Sequence, residues 1–164
     1  MVAYSFQKRF VSHIQAGLEP GPWCPGMKRH TLRQPREGRT PHARPEQVVQ
    51  LYTGMRTRHC RLIGRAVARV QIPVTLFTVD MGWRLALMRR DGPAPRSRVA
   101  GLAPIVRTIL DLPIGAFIAD DEMEEFARTD GFRDVAEMVT FFEAPEEPAS
   151  LDMVLIGWSP AEPG

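Results

Sequence analysis

At 164 residues, with 44% hydrophobic and 24% charged residues and a formal net charge of +2, the chain is long enough for one hydrophobic core and too apolar to stay disordered. The composition also excludes a collagen and a coiled coil, and no apolar run reaches the ~18–20 residues that a membrane-spanning helix needs. Met1–Arg9 has no apolar run after its first charges, so it does not read as a signal peptide, and a cytoplasmic protein is expected.

In chain order, Val2–Phe6 reads as a short strand. Phe6, Phe10, Val11 and Ile14 then fall at helical spacing, with Gly17 as the expected C-cap. Leu18–Met27 holds three prolines and two glycines and predicts a loop, and Lys28–Arg33 a strand edge. Gln34–Glu46 is basic and Pro-rich, an expected exposed loop. Gln47–Thr53 predicts a strand and Gly54–Arg58 a turn carrying two arginines. Cys60–Val70 alternates Arg with apolar residues, as a strand with one wet face does, Gln71–Val79 and Gly82–Met88 predict two more strands, and Asp91-Gly92 with two prolines predicts a turn between Arg89 and Arg98. Val99–Phe117 is apolar and ambiguous, and reads as strand plus helix. Asp120–Arg128 predicts a helix with an acidic first turn, Thr129-Asp130-Gly131 a break, and Phe132, Val135, Met138, Val139 and Phe142 a second helix. Glu143–Ser150 is a Pro/Glu loop, Leu151–Trp158 a final strand, and 159–164 a tail. Six or seven strands with two or three helices, in an order that is not a repeated βαβ, predict an α+β fold on a small, mostly antiparallel barrel within a single domain over 1–164.

The mild net charge conceals a split. Residues 1–110 carry 19 of the 21 basic and 5 of the 19 acidic residues, a balance of +14, and residues 111–164 carry 2 basic and 14 acidic ones, a balance of −12. Only Lys8 and Lys28 are lysines. Arginine-rich, positively charged segments favour phosphate partners, because the planar guanidinium fork matches phosphate oxygens. The two cysteines, Cys24 and Cys60, make no disulfide framework. With His30 and His59 they match no standard zinc spacing, so no metal and no cofactor is expected.

Several of these pieces resemble a known family. The strand and helix ending in Ala16-Gly17, followed by Lys28, Thr31 and Arg33 in a Lys-x-x-Thr-x-Arg stretch, look like the opening of an ASCH domain, a branch of the PUA-like β-barrel superfamily. His42-Ala43-Arg44-Pro45, Leu51-Tyr52-Thr53-Gly54-Met55-Arg56-Thr57-Arg58 and Ala127-Arg128-Thr129-Asp130-Gly131-Phe132 are similar to the phage and prophage type of that family. The similar pieces span 2–70 and 119–158. Residues 18–27 and about 71–118 then read as insertions.

The resemblance implies a PUA-like barrel flanked by two or three helices, with a cleft that binds RNA or a nucleotide-like ligand. It also implies, as an alternative, an amidohydrolase acting on an acylated nucleoside such as acetylcytidine, with Lys28 and Thr31 as its pair and Asp130 where the branch has Glu. A ribonuclease and a phage-encoded protein-interaction module are further alternatives, the last without a motif behind it. For catalysis the Thr31 hydroxyl needs a base, and a lysine whose pKa is lowered can serve. Residues 28 and 31 are three apart, which in an ideal strand puts them on opposite faces, so a bulge or turn is needed for them to meet. For nucleic acid, Arg29, Arg33, Arg36, Arg39, Arg44, Arg56 and Arg58 are the expected phosphate contacts, with Tyr52 and Trp23 as stacking surfaces. The competing expectation is that these arginines pair with the acidic C-terminal helices of the same chain.

Overall fold

The computed structural model describes residues 2–36, 41–79, 84–90, 101–142 and 150–161. Its strands are β1 (Val2–Phe6), β2 (His30–Arg33), β3 (Val48–Thr53), β4 (Arg61–Val79), β5 (Arg84–Arg89), β6 (Phe117–Ile118) and β7 (Ser150–Pro160). Its helices are α1 (Val11–Gly17), entered through a 3₁₀ turn at Lys8–Phe10, α2 (Pro104–Leu110), α3 (Asp120–Thr129) and α4 (Val135–Phe142). The fold is α+β, a mixed sheet of seven strands in which every pairing but β1–β3 is antiparallel.

β4 organises the sheet. Its first half pairs with β3, its middle and second half with β7, and its end with β5. Cys60–Val70 and Gln71–Val79, expected as two strands, are one strand of 19 residues. The register shifts between Leu51 and Tyr52 against β3, and between Ala68 and Val70 against β7. Such irregularities bend and twist a strand, which lets one long element serve three neighbours. Residues 71–118, expected as an insertion, supply half of β4, all of β5, α2 and β6, and buried core residues Val74, Leu76, Leu87, Ile105 and Val106. The ambiguous stretch contains α2, which starts with Pro104 at its first turn, where the missing N–H costs nothing.

The strands on one side run β2–β7–β4–β3–β1, and among the described residues no ladder joins β1 back to β2. Arginine side chains cross that gap instead. Arg33 Nη2, from β2, donates to the Ser5 carbonyl of β1 at 2.6 Å, and Arg36 Nη2 donates to the Ala3 carbonyl at 3.3 Å. The two guanidinium groups also lie 5.3 and 5.1 Å from the Tyr4 ring. The Tyr4 hydroxyl in turn bonds His42 Nδ1 and accepts from Ala43 N, which ties the 41–46 loop to β1.

The core lies inside this curved sheet and under the helices, around Tyr4, Phe6, Ile14, Leu51, Phe126, Met138 and Trp158. α3 buries Met123, Phe126 and Ala127 on one face and exposes its acidic first turn. It ends in a two-bond C-terminal cap: Phe132 N donates to Ala127 O at 2.9 Å and Gly131 N to Arg128 O at 3.1 Å. Gly131 has φ +104°, and a Cβ there would lie 2.8 Å from the Phe10 ring, so glycine is required twice over. α4 is then started by Asp134, whose Oδ1 accepts from Glu137 N at 2.9 Å, and by Glu124 of α3, whose Oε2 accepts from Val135 N.

Candidate functional site

A cleft of about 240 Å³ opens where β1 and β2 fail to pair, roofed by α4 and by the cap of α3. Lys28, Thr31, Arg33 and Asp130 line it, with Phe6, Phe10, Phe132, Phe141 and Phe142 as aromatic walls.

Lys28 is aimed by its backbone. It precedes β2, so strand alternation does not set its side chain against that of Thr31, and the two line the same cleft. Lys28 N donates to His13 O at 2.9 Å. The Lys28 carbonyl passes so close to Gly17 that a Cβ there would sit 2.5 Å from it. Gly17 therefore serves close approach; it is the last residue of α1, and Leu18 is the C-cap. Arg29, next in the chain, is 1% exposed and gives four of its five N–H donors to the carbonyls of Gly17, Glu19, Gly21 and Gly101. It clamps the 18–27 loop and does not stand on the cleft rim.

Asp130 is aimed by the cap of α3, and the Lys28 ammonium sits at that helix C-terminus. Nζ donates to Asp130 Oδ1 at 2.5 Å and to the Asp130 carbonyl at 2.8 Å, one of the carbonyls a helix end leaves unpaired. The rings of Phe10 and Phe6 lie 5.1 and 6.0 Å from Nζ. Lys28 and Asp130 are about as buried as the core, at 3% and 2% exposure. Burial lowers the lysine below its ordinary pKa, and Asp130 opposes part of that shift. Burial alone would raise the Asp130 carboxyl, but Lys28 and His30 outweigh it and hold it below the usual carboxylate range.

Thr31 reaches the cleft, yet its Oγ1 accepts from Arg33 Nε at 3.1 Å. Arg33 stacks 4.6 Å over Phe6, and burial pulls its pKa down to about 10. The three residues expected to act together thus share one cavity, with Lys28 and Asp130 in contact and Thr31 bonded to Arg33.

The other expected contacts divide by place. Arg56 and Arg58 are exposed in the turn that follows Thr53, which is paired with Phe6 at the cleft end of β1. Arg56 adopts φ +67° in that turn. Arg44 is exposed near the opposite end of β3, and Arg36 covers the edge of β1. Arg39 lies outside the described residues. Tyr52 is half-buried on the outer face with its hydroxyl on Gln50, and Trp23 packs against the core and donates to Met27 O. Among the described residues, ion pairs joining the basic and acidic parts of the chain include Arg9–Glu137, Lys28–Asp130 and Arg90–Asp152. Arg44, Arg56 and Arg58 are in none of them.

Compared with known proteins, the chain matches no protein-family model, no curated protein and no solved structure. The cleft must be read from its own residues. Sequence reasoning did not assign His30, which shares Asp130 with Lys28, or the phenylalanine walls. His30 is two residues from Lys28, but Lys28 lies before β2, so strand alternation gave no signal that the two share a carboxylate. Phe132 and Phe142 were legible only as a helix stripe. Among the described residues no group of three or more His, Cys, Asp or Glu is placed to hold a metal, and no helix is long and apolar enough to cross a membrane.

Proposed function

We propose that the chain is an ASCH-like domain of PUA-like type, and that the cleft takes a nucleobase-sized part of an RNA or nucleotide ligand. The observation that carries this reading is the composition of one cavity: Lys28, Thr31, Arg33 and Asp130 set among five phenylalanines, in a space of about 240 Å³. Aromatic walls suit a flat heterocycle, because every base has a π-face to stack. A carboxylate, a hydroxyl and two cations supply hydrogen bonds around its edge. Arg56 and Arg58, exposed at the same end of the sheet, are suited to flanking phosphates. The sheet is open between β1 and β2, and the arginine side chains that bridge those two edges are what supports reading it as a barrel of that family.

A second reading is amide hydrolysis of an acylated nucleoside. It is favoured by the contact between Lys28 and Asp130 and by the lowered lysine pKa. In that case the Arg33 charge beside Thr31 Oγ1 would stabilise developing alkoxide character. The test is to incubate the protein side by side with acetylcytidine and with labelled single-stranded RNA. Salt-dependent RNA retention without turnover supports the binder. Release of acetate that Thr31→Val abolishes supports the hydrolase, and RNA fragments lost with Lys28→Ala support a nuclease. Failure to retain RNA, nucleotide or nucleoside at low salt overturns the first reading.

A further inference from the structure

His30 is 1% exposed, and its Nε2 lies 3.0 Å from Asp130 Oδ1, the oxygen that Lys28 also holds. The contact falls outside hydrogen-bond geometry, and among the described residues Nε2 has no hydrogen-bond partner. A buried imidazole nitrogen presented to a carboxylate is repelled if it carries a lone pair and attracted if it carries a proton, so the tautomer with hydrogen on Nε2 is favoured. The ring cannot drift away. Its backbone is fixed opposite Gly157 in the β2–β7 ladder, and its face rests 5.1 Å from the Phe126 ring of α3.

We propose that His30 is a positioning residue of the cleft: its neutral Nε2–H is a second donor to Asp130 Oδ1, and it holds the carboxylate in place when the Lys28 ammonium turns toward a bound ligand. The need for such a donor follows from burial. If Lys28 swung toward a ligand, Asp130 would be left as an uncompensated charge in the interior, which is strongly unfavourable. A donor already at 3.0 Å offsets part of that cost. The neighbouring charges agree: Lys28 faces the pair from one side, Arg33 adds a further positive field, and burial keeps His30 neutral by lowering its pKa. The proposal rests on reading the cleft as the ligand site, but its test needs no ligand.

The chain has two lysines, so a protein labelled only in lysine gives two side-chain signals, and Lys8→Arg assigns them. The Lys28 titration is then followed by NMR in the native protein, in His30→Phe and in His30→Gln. Removing the second donor leaves the full carboxylate charge to act on Lys28, so His30→Phe should raise the lysine pKa by about half a unit or more. His30→Gln, which restores an N–H near the Nε2 position, should bring it back. A loss of packing alone would lower the melting temperature without moving this titration. An unchanged Lys28 titration in folded His30→Phe overturns the proposal. So does a native-protein nitrogen spectrum in which His30 Nε2 carries no proton, a measurement that holds even if the variant fails to fold. A protein that binds neither RNA nor nucleoside still gives this answer, so the two readings fail separately.

Discussion

The cleft floor and the β3–β4 turn both carry the positive charge of the N-terminal part, yet they hold it under opposite conditions. Lys28 and Arg33 are enclosed, each fixed by named acceptors and rings, and their pKa values are pulled down by burial. Arg56 and Arg58 stand in water on a glycine-started turn. A buried charge must be paired and is therefore precise, whereas an exposed one is cheap to remove and acts through the long-range field. The first kind recognises a shape; the second attracts a polyanion of any sequence.

The sharpest way to break this contrast is to unpair the floor. Asp130→Ala leaves the Lys28 ammonium buried with one carbonyl partner and should cost about 3–5 kcal/mol in urea unfolding. The double variant Lys28→Met/Asp130→Leu should regain most of that loss, because it removes both charges at once. A single variant costing under about 1 kcal/mol would mean the pair is solvated like a surface bridge. Next in size is Gly131→Ala. It forces an L side chain to φ +104° and against the Phe10 ring, for about 1–3 kcal/mol, and it should also alter the Lys28 titration, since Asp130 hangs on that cap.

These variants also mark what the sequence could and could not disclose. The alternation at Val49 and Leu51 and the helical period through Phe132 and Met138 were readable because each element buries one face. The unity of β4 was not, because its irregularities reset the alternation within the strand. The pairing of Lys28 with Asp130, 102 residues apart, entered through family resemblance; composition and local spacing carry no trace of it. Arg29 looked like a phosphate ligand beside its neighbours, but its donors go to loop carbonyls, and a binding arginine and a clamping one are identical in sequence. The charge split, +14 against −12, turned out to be local at the seam: single pairs such as Arg9–Glu137 join the two parts, while the turn arginines stay outside them.

Acid should expose the floor in two steps. His30 has a folded pKa below its unfolded value of about 6.5, so its contribution to stability is present above that pH and is lost as pH falls toward the folded value. Asp130 follows the same sign: it stabilises above the unfolded carboxylate value of about 3.9, and the contribution is lost as pH falls through its lower folded value. Unfolding midpoints measured from pH 7 to pH 3 should therefore decline first below about 6.5 and again below about 4. His30→Phe should reduce the first decline, leaving the part that belongs to His42, whose pKa burial also lowers. A flat profile between pH 7 and 5 in the native protein would show that burying neutral His30 has no proton linkage.

The smallest effect on stability belongs to the turn, and it is the most informative about a partner. Arg56→Ala and Arg58→Ala touch no core residue and should change unfolding free energy by less than about 0.5 kcal/mol. If these arginines contact phosphates of a single strand, each loss should reduce the slope of log affinity against log salt by about 0.7 and weaken all RNA sequences alike. A floor variant such as Thr31→Val should instead leave the salt slope intact and lower affinity for some bases more than others. The two slopes, measured on the same RNA set, separate attraction from recognition. If both variants shift the slope equally, the cleft and the turn act as one electrostatic surface, and the division of labour drawn from burial fails.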